Sequence, residues 1–185
     1  MSLSVTLPVG IDLQDWADCL ITDFDAFGVE GMGRAVCSNN TMKYIGYQDE
    51  EKAEKWARKY LGVKSSPDIF RALSAVDKDN KFACVILLTN FTKRNIDVNI
   101  AADCFWTPKT TIKMFNGLFK MVFDELKAAR STALIANSNV ECQKFVEQIG
   151  FVKEGTMRKA YNDDEDMLIY GFLESEYRKH DWCRS

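Results

Sequence analysis

Between Phe82 and Leu126 the chain changes its apolar period twice. Phe82 to Thr92 is a β-branched and aromatic run (FACVILLTNFT), the pattern of a central strand. Asn95 to Ala102 (NIDVNIAA) alternates polar and apolar, the period of a further strand. Then Thr107, a good N-cap, precedes Pro108 at a first helical position, where proline is favoured. Ile112, Phe115, Leu118, Phe119, Val122 and Leu126 follow at helical spacing, which predicts one long helix from about Pro108 to Ala129. Strands followed directly by a long apolar-faced helix must cover one another, so the chain is confined to a layered sheet-and-helix architecture.

The flanking segments extend that pattern. Asp12 caps a predicted helix carrying Leu13, Trp16, Ala17 and Leu20, and a second begins near Asp49 with Ala53, Trp56, Ala57 and Tyr60 on its apolar face. Phe24 to Tyr47, with Gly28, Gly31 and Gly33, reads as loop with room for one short strand. Ile69 to Val76 is a strand, and Asp77 to Asn80 is a turn. Thr132 to Ala136 is a short strand, after which Asn139 caps a helix that Gly150 ends. Phe151 to Tyr161 and Met167 to Leu173 are two strands joined by an acidic turn. The expectation is an α+β, mixed sheet covered by helices, formed by all 185 residues as a single domain with a less regular N-terminal third.

Composition fits that architecture and narrows the function. Apolar residues make up 46% and charged residues 28%, enough to build a core without staples. A net charge of −3 argues against a dedicated nucleic-acid binder. The longest apolar run, Phe82 to Leu88, is too short for a bilayer, and MSLSVTLPVG does not read as a secretory signal. Six cysteines without a CxxC pair are expected as reduced thiols of a cytoplasmic protein, with no metal site. The one histidine, His180, leaves little material for a His-based triad.

Chemistry concentrates where a strand meets a helix. The first turn of a helix leaves N–H groups without partners, and its dipole favours negative charge, so the Ala101–Thr111 junction is a candidate phosphate site. Lys109, Thr110 and Thr111 would supply a cation and two hydroxyls; a plain capped helix fits the same residues. Asn139 serves equally as an N-cap or as a ligand contact. Asp97 and Asp103 flank the junction as candidate bases or as ordinary strand-edge acids. Cys104 and Cys142 are weaker candidates for an acyl-carrying nucleophile, because free cysteine is most often an inert buried residue.

The run from Asn139 through Gly150-Phe151 and Glu154-Gly155 to Arg158 resembles the GNAT superfamily of acyl-CoA-dependent N-acetyltransferases. The ending DMLIYGFLESEYR is similar to the branch containing ribosomal-protein-alanine acetyltransferases. Trp106 and the helix with Phe115 and Phe119 look like small bacteriophage-encoded members. The resemblance covers about Ile69 to Arg178, leaving residues 1–68 as a divergent region expected to shape the substrate side. It implies the GNAT fold: a mostly antiparallel twisted sheet of six to seven strands, flanked by helices and splayed in the middle. It also implies acetyl-CoA as co-substrate, with no metal and no membrane or nucleic-acid partner. The pantetheine arm would lie along Asn99, Ile100, Ala101 and Ala102, and the pyrophosphate near Trp106, Thr107, Lys109, Thr110 and Thr111. Asn139 and Cys142 would complete the cofactor site, with Asp97 or Asp103 as base.

Two positions depart from the family pattern. The stretch CFWTPKTTIKM lacks the glycines of the usual phosphate loop, and Val146 stands where many members carry a tyrosine acid. The implied activity is direct acetyl transfer to a primary amine: a protein N-terminus, a lysine or a small molecule. The alternative is a catalytically inactive GNAT-fold binding or structural protein of phage association. Aromatic residues in the N-terminal third are compatible with a homodimer. A cytoplasmic setting is expected, the host's if the chain is phage-encoded.

Overall fold

The computed structural model describes residues 44–47, 49–61, 69–77, 79–102 and 108–180. Seven strands form one sheet: β1 (Tyr44–Gly46), β2 (Ile69–Val76), β3 (Phe82–Thr89), β4 (Asn95–Ala102), β5 (Arg130–Ala136), β6 (Val152–Asn162) and β7 (Glu165–Leu173). The helices are α1 (Glu50–Leu61), α2 (Pro108–Phe119), α3 (Val140–Gln148) and the short α4 (Glu174–Tyr177). The strand order is β1-β2-β3-β4-β5-β7-β6. Every neighbouring pair is antiparallel except β4 and β5, which run parallel because α2 carries the chain back across the sheet between them.

The two faces are covered differently. On one, Leu73, Ile86, Ile96, Ile100, Ile135, Tyr170 and Phe172 pack with Phe115 and Phe119 of α2 and Phe145 of α3. On the other, Ala72, Val85, Leu87 and Ala101 meet Ala53 and Ala57 of α1, small residues that let the helix lie close. Strand β3 is buried from Ala83 to Thr89, which is why its sequence is continuously apolar instead of alternating. An aromatic cluster locks the second layer: Phe119 meets Phe172 edge-on at 5.0 Å, and Phe123 stacks on Tyr177 at 5.0 Å. Each such pair adds about 0.5–1.5 kcal/mol beyond its buried area.

Three segments differ from the sequence-based expectation. The long helix stops earlier than Ala129, because α2 widens into a π-helix over Lys120–Glu125. There Leu126 N–H reaches the Met121 carbonyl at 2.9 Å, and Ala128 N–H reaches that of Val122 at 3.0 Å. The wider turn lets the consecutive residues Met121, Val122 and Phe123 all stay buried, which a 3.6-residue period does not allow. Secondly, the central strand ends at Thr89, because Asn90 turns to φ +53° and opens the hairpin to β4. Thirdly, β5 begins at Arg130, two residues before Thr132.

The same early start is seen in β7, which begins at Glu165 inside the expected turn, while Asn139 is the N-cap as expected, with its side chain accepting the Cys142 N–H at 3.1 Å. Gly150 ends α3 in a Schellman motif: its N–H reaches the Glu147 carbonyl, and Phe151 N–H reaches that of Val146. The acidic hairpin turn is built by its own side chains, with Asn162 accepting the Asp164 N–H at 2.9 Å. The helix predicted after Asp12, most of the Phe24–Tyr47 loop and the stop at Gly62 lie outside the described residues.

Candidate active site

The parallel pair β4–β5 is short. It runs through Asn95↔Arg130, Ile96↔Ser131 and Asp97↔Thr132, and then stops. Beyond that point β4 remains paired with β3 as far as Cys84↔Ala102, while β5 remains paired with β7 as far as Ala136↔Met167. The two strands therefore part in mid-sheet, each held by its own half. Both lead from their C-terminal ends into helices, α2 from Pro108 and α3 from Val140. Each parted strand is thus followed in the chain by a helix, whose N-terminal dipole end favours an anion.

Asn99, Ile100, Ala101 and Ala102 occupy the parted half of β4. Ile100 and Ala102 face the α2 layer, and Ala101 faces α1. Asn99 shares the Ala101 side by alternation and donates its amide to Thr89 Oγ1 at 3.0 Å. Lys109 and Thr110 lie in the first turn of α2, and Thr111 follows, fully buried. Asp103, Trp106 and Thr107 lie outside the described residues.

Asp97 sits at the vertex, on the last pair before the strands part. Its carboxylate is held from two sides: Asn90 Nδ2 donates to Oδ2 and Asn95 Nδ2 to Oδ1, each at 2.9 Å. A carboxylate offers about four lone-pair positions, so two amides fix its plane without saturating it. Asn95 in turn accepts from Thr132 Oγ1 at 2.6 Å, and Arg130 Nε lies 3.2 Å from that hydroxyl. Arg130 also ion-pairs with Glu154 at 2.6 Å, crossing over β7 at Gly171. A Cβ at Gly171 would come within 2.7 Å of an Arg130 nitrogen, so the crossing needs glycine there. The residue-by-residue reading missed Asn90, Asn95, Thr132 and Arg130; the one available hint was the density of Asn and Thr around Asp97.

Cys142 does not behave as a nucleophile. It is buried in the core, and desolvation pushes its thiol well above the usual range. Its backbone serves the Asn139 cap. Tyr170 has a buried ring whose hydroxyl donates to Glu147 at 3.0 Å; desolvation, then the Glu147 contact, raises its pKa. Arg158, on the edge strand β6, is exposed. Among the described residues, no group of three His, Cys, Asp or Glu side chains is placed to hold a metal ion, and no helix is long and apolar enough to cross a membrane.

No family model matches the chain, and no curated protein matches it. Solved structures do. A mutant spermidine N-acetyltransferase SpeG from Vibrio cholerae is 18% identical, with a TM-score of 0.51 over 77% of this chain and 87% of that one. A GCN5-related N-acetyltransferase from Brucella melitensis is 22% identical, with a TM-score of 0.50 over 69% of this chain and 59% of that one. Ribosomal-protein-S5-alanine acetyltransferase from Vibrio fischeri is 21% identical, with a TM-score of 0.49, and the chain spans 61% of its length. A seven-stranded, mostly antiparallel sheet parted between its one parallel pair, together with these neighbours, identifies the architecture as the GNAT acetyltransferase fold.

Proposed function

We propose that the chain is an acetyl-CoA-dependent N-acetyltransferase acting on a primary amine by direct attack. The observation that carries this reading is the parting of β4 from β5 after Asp97↔Thr132. The unpaired edge of β4 from Val98 to Ala102 is roughly 15 Å of strand at ~3.3 Å per residue, a length suited to an extended pantetheine arm. The N-terminus of α2, with Lys109, Thr110 and Thr111, would hold the pyrophosphate, and the thioester would then lie near the vertex. Asn139 supports the site by capping α3.

The residues at the vertex suit the proton balance. The amine nitrogen bonds to the thioester carbonyl carbon, the C–S bond breaks, and coenzyme A leaves as a thiolate that takes up, through water, the proton the nitrogen has given to Asp97. Asp97 takes the proton that the attacking nitrogen sheds, directly or through water. A backbone N–H on the parted edge of β4 stabilises the developing oxyanion. The acceptor is a protein N-terminus, a lysine or a small amine; the neighbours' names point to spermidine and to a ribosomal protein's alanine. Calorimetry with acetyl-CoA is the first test, and absence of binding at millimolar concentration overturns the reading. Asp97→Asn is expected to lower kcat by about 10²–10⁴ with acetyl-CoA affinity intact.

A second reading, a GNAT-fold binding or structural protein without catalysis, is favoured by the glycine-free stretch from Cys104 to Met114. A glycine-free junction keeps the backbone farther from a pyrophosphate. Binding of acetyl-CoA without acetyl transfer to any amine would select it.

A further inference from the structure

The hydrogen bonds around Asp97 have only one consistent direction, set from both ends: the carboxylate only accepts, so it takes the Asn95 NH2 and leaves Asn95 Oδ1 to face Thr132, while Arg130 at the far end only donates. A guanidinium can only donate. Arg130 Nε, 3.2 Å from Thr132 Oγ1, therefore makes that hydroxyl an acceptor on one side. The hydroxyl's own proton then goes to Asn95 Oδ1 at 2.6 Å. With its oxygen so used, the Asn95 amide must turn its NH2 group toward Asp97 Oδ1, 2.9 Å away. The amide has no freedom to flip, because a flip would set its oxygen against the carboxylate and its NH2 against a donated proton. Glu154 takes the terminal nitrogens of Arg130 at 2.6 and 3.3 Å, which leaves Nε aimed at Thr132. Asn90 holds the other oxygen of Asp97 from a backbone at φ +53°, a conformation asparagine tolerates better than most residues.

Resting on the transferase reading, we propose that Thr132 and Asn95, aligned by the Arg130–Glu154 pair, are positioning residues that orient the Asp97 carboxylate toward the opening between β4 and β5. None of the four touches substrate in this role; each acts through Asp97. The relay runs across β5 to β4 on the same side of the sheet, and Thr132, its central member, is almost fully buried. Burial of the Thr132 hydroxyl limits competition from water at the centre of the relay, while the Arg130–Glu154 and Asn90–Asp97 bonds at its ends are exposed.

The test uses the full chain with acetyl-CoA and a primary amine that it acetylates. Thr132→Val keeps a β-branched side chain of the same shape and removes the hydroxyl. It is expected to lower kcat about tenfold, with KM for acetyl-CoA unchanged. Thr132→Ser, which restores the hydroxyl, is expected to recover most of the loss. In an Asp97→Asn background, Thr132→Val is expected to cause no further fall, since the residue it serves is already gone. Equal losses in both backgrounds, or no recovery with serine, overturn the positioning role and leave the transferase reading standing. An unaltered chain that acetylates no amine overturns both.

Discussion

Gly150→Ala is the sharpest probe of how α3 is seated beside the opening. Gly150 has φ +109°, outside the regions an L-residue adopts comfortably. Forcing an alanine there costs about 1–2 kcal/mol in backbone terms. The new methyl carbon would lie 2.9 and 3.2 Å from two carbons of the Phe172 ring, which is buried in the aromatic cluster and cannot swing away. Overpacking of this kind adds about 1–3 kcal/mol. The expected destabilisation is therefore about 2–5 kcal/mol, and at 2–4 °C per kcal/mol for a chain of this size Tm falls by roughly 4–20 °C. Urea unfolding followed by fluorescence and a thermal melt both read it. Phe172→Leu withdraws the ring, so the double variant should lose less than the sum of the two single losses, by at least about 1 kcal/mol. A loss below about 0.5 kcal/mol for Gly150→Ala would refute both the backbone and the packing parts of the reasoning.

Further outcomes are expected elsewhere. The Arg178 hydrogen bond holds the Asp124 carboxyl below its ordinary value. Asp124 therefore contributes stability above the unfolded carboxylate pKa, and that stability is lost as pH falls through the folded value. Both side chains are over a third exposed, so Asp124→Asn should cost under about 1 kcal/mol at pH 7, and the difference should shrink as pH falls through the lowered folded value; a difference undiminished in acid would contradict this. Cys142 should resist alkylation in the native protein at neutral pH, as read by peptide mass mapping, and Cys142→Ala should retain acetyl transfer. Gly171→Ala should displace the Arg130–Glu154 crossing while changing stability by no more than about 1 kcal/mol, so that turnover falls without a matching fall in Tm.

What the sequence disclosed follows from how far each signal reaches along the chain. Local signals were sound: the Pro108 start of α2, the Asn139 cap and the Gly150 stop are each set by neighbours a few residues away. The π-helix was hidden because the spacing of Phe115, Leu118, Phe119 and Val122 is equally helical whether or not the next turn widens. Its cause is the packing demand of three consecutive buried residues, which is a tertiary fact. The vertex network was hidden for a related reason. Thr132 and Asn95 are 37 residues apart, and only the parallel register of β4 and β5 brings them together. Asp97 could be singled out by its place on a strand, but its partners could not.

The single parallel seam divides the sheet into an antiparallel meander, β1 to β4, and an antiparallel half in the order β5-β7-β6, stitched by three residue pairs. What spans the divide is the helical layer, since Phe115 and Phe119 of α2 share one core with Leu73 of β2 and Phe172 of β7. The molecule is thus built like a hinged shell whose hinge pin is aromatic. In hydrogen exchange the amides along that suture should open before those of either half, so the place proposed to take a ligand should also be where the native state first loosens.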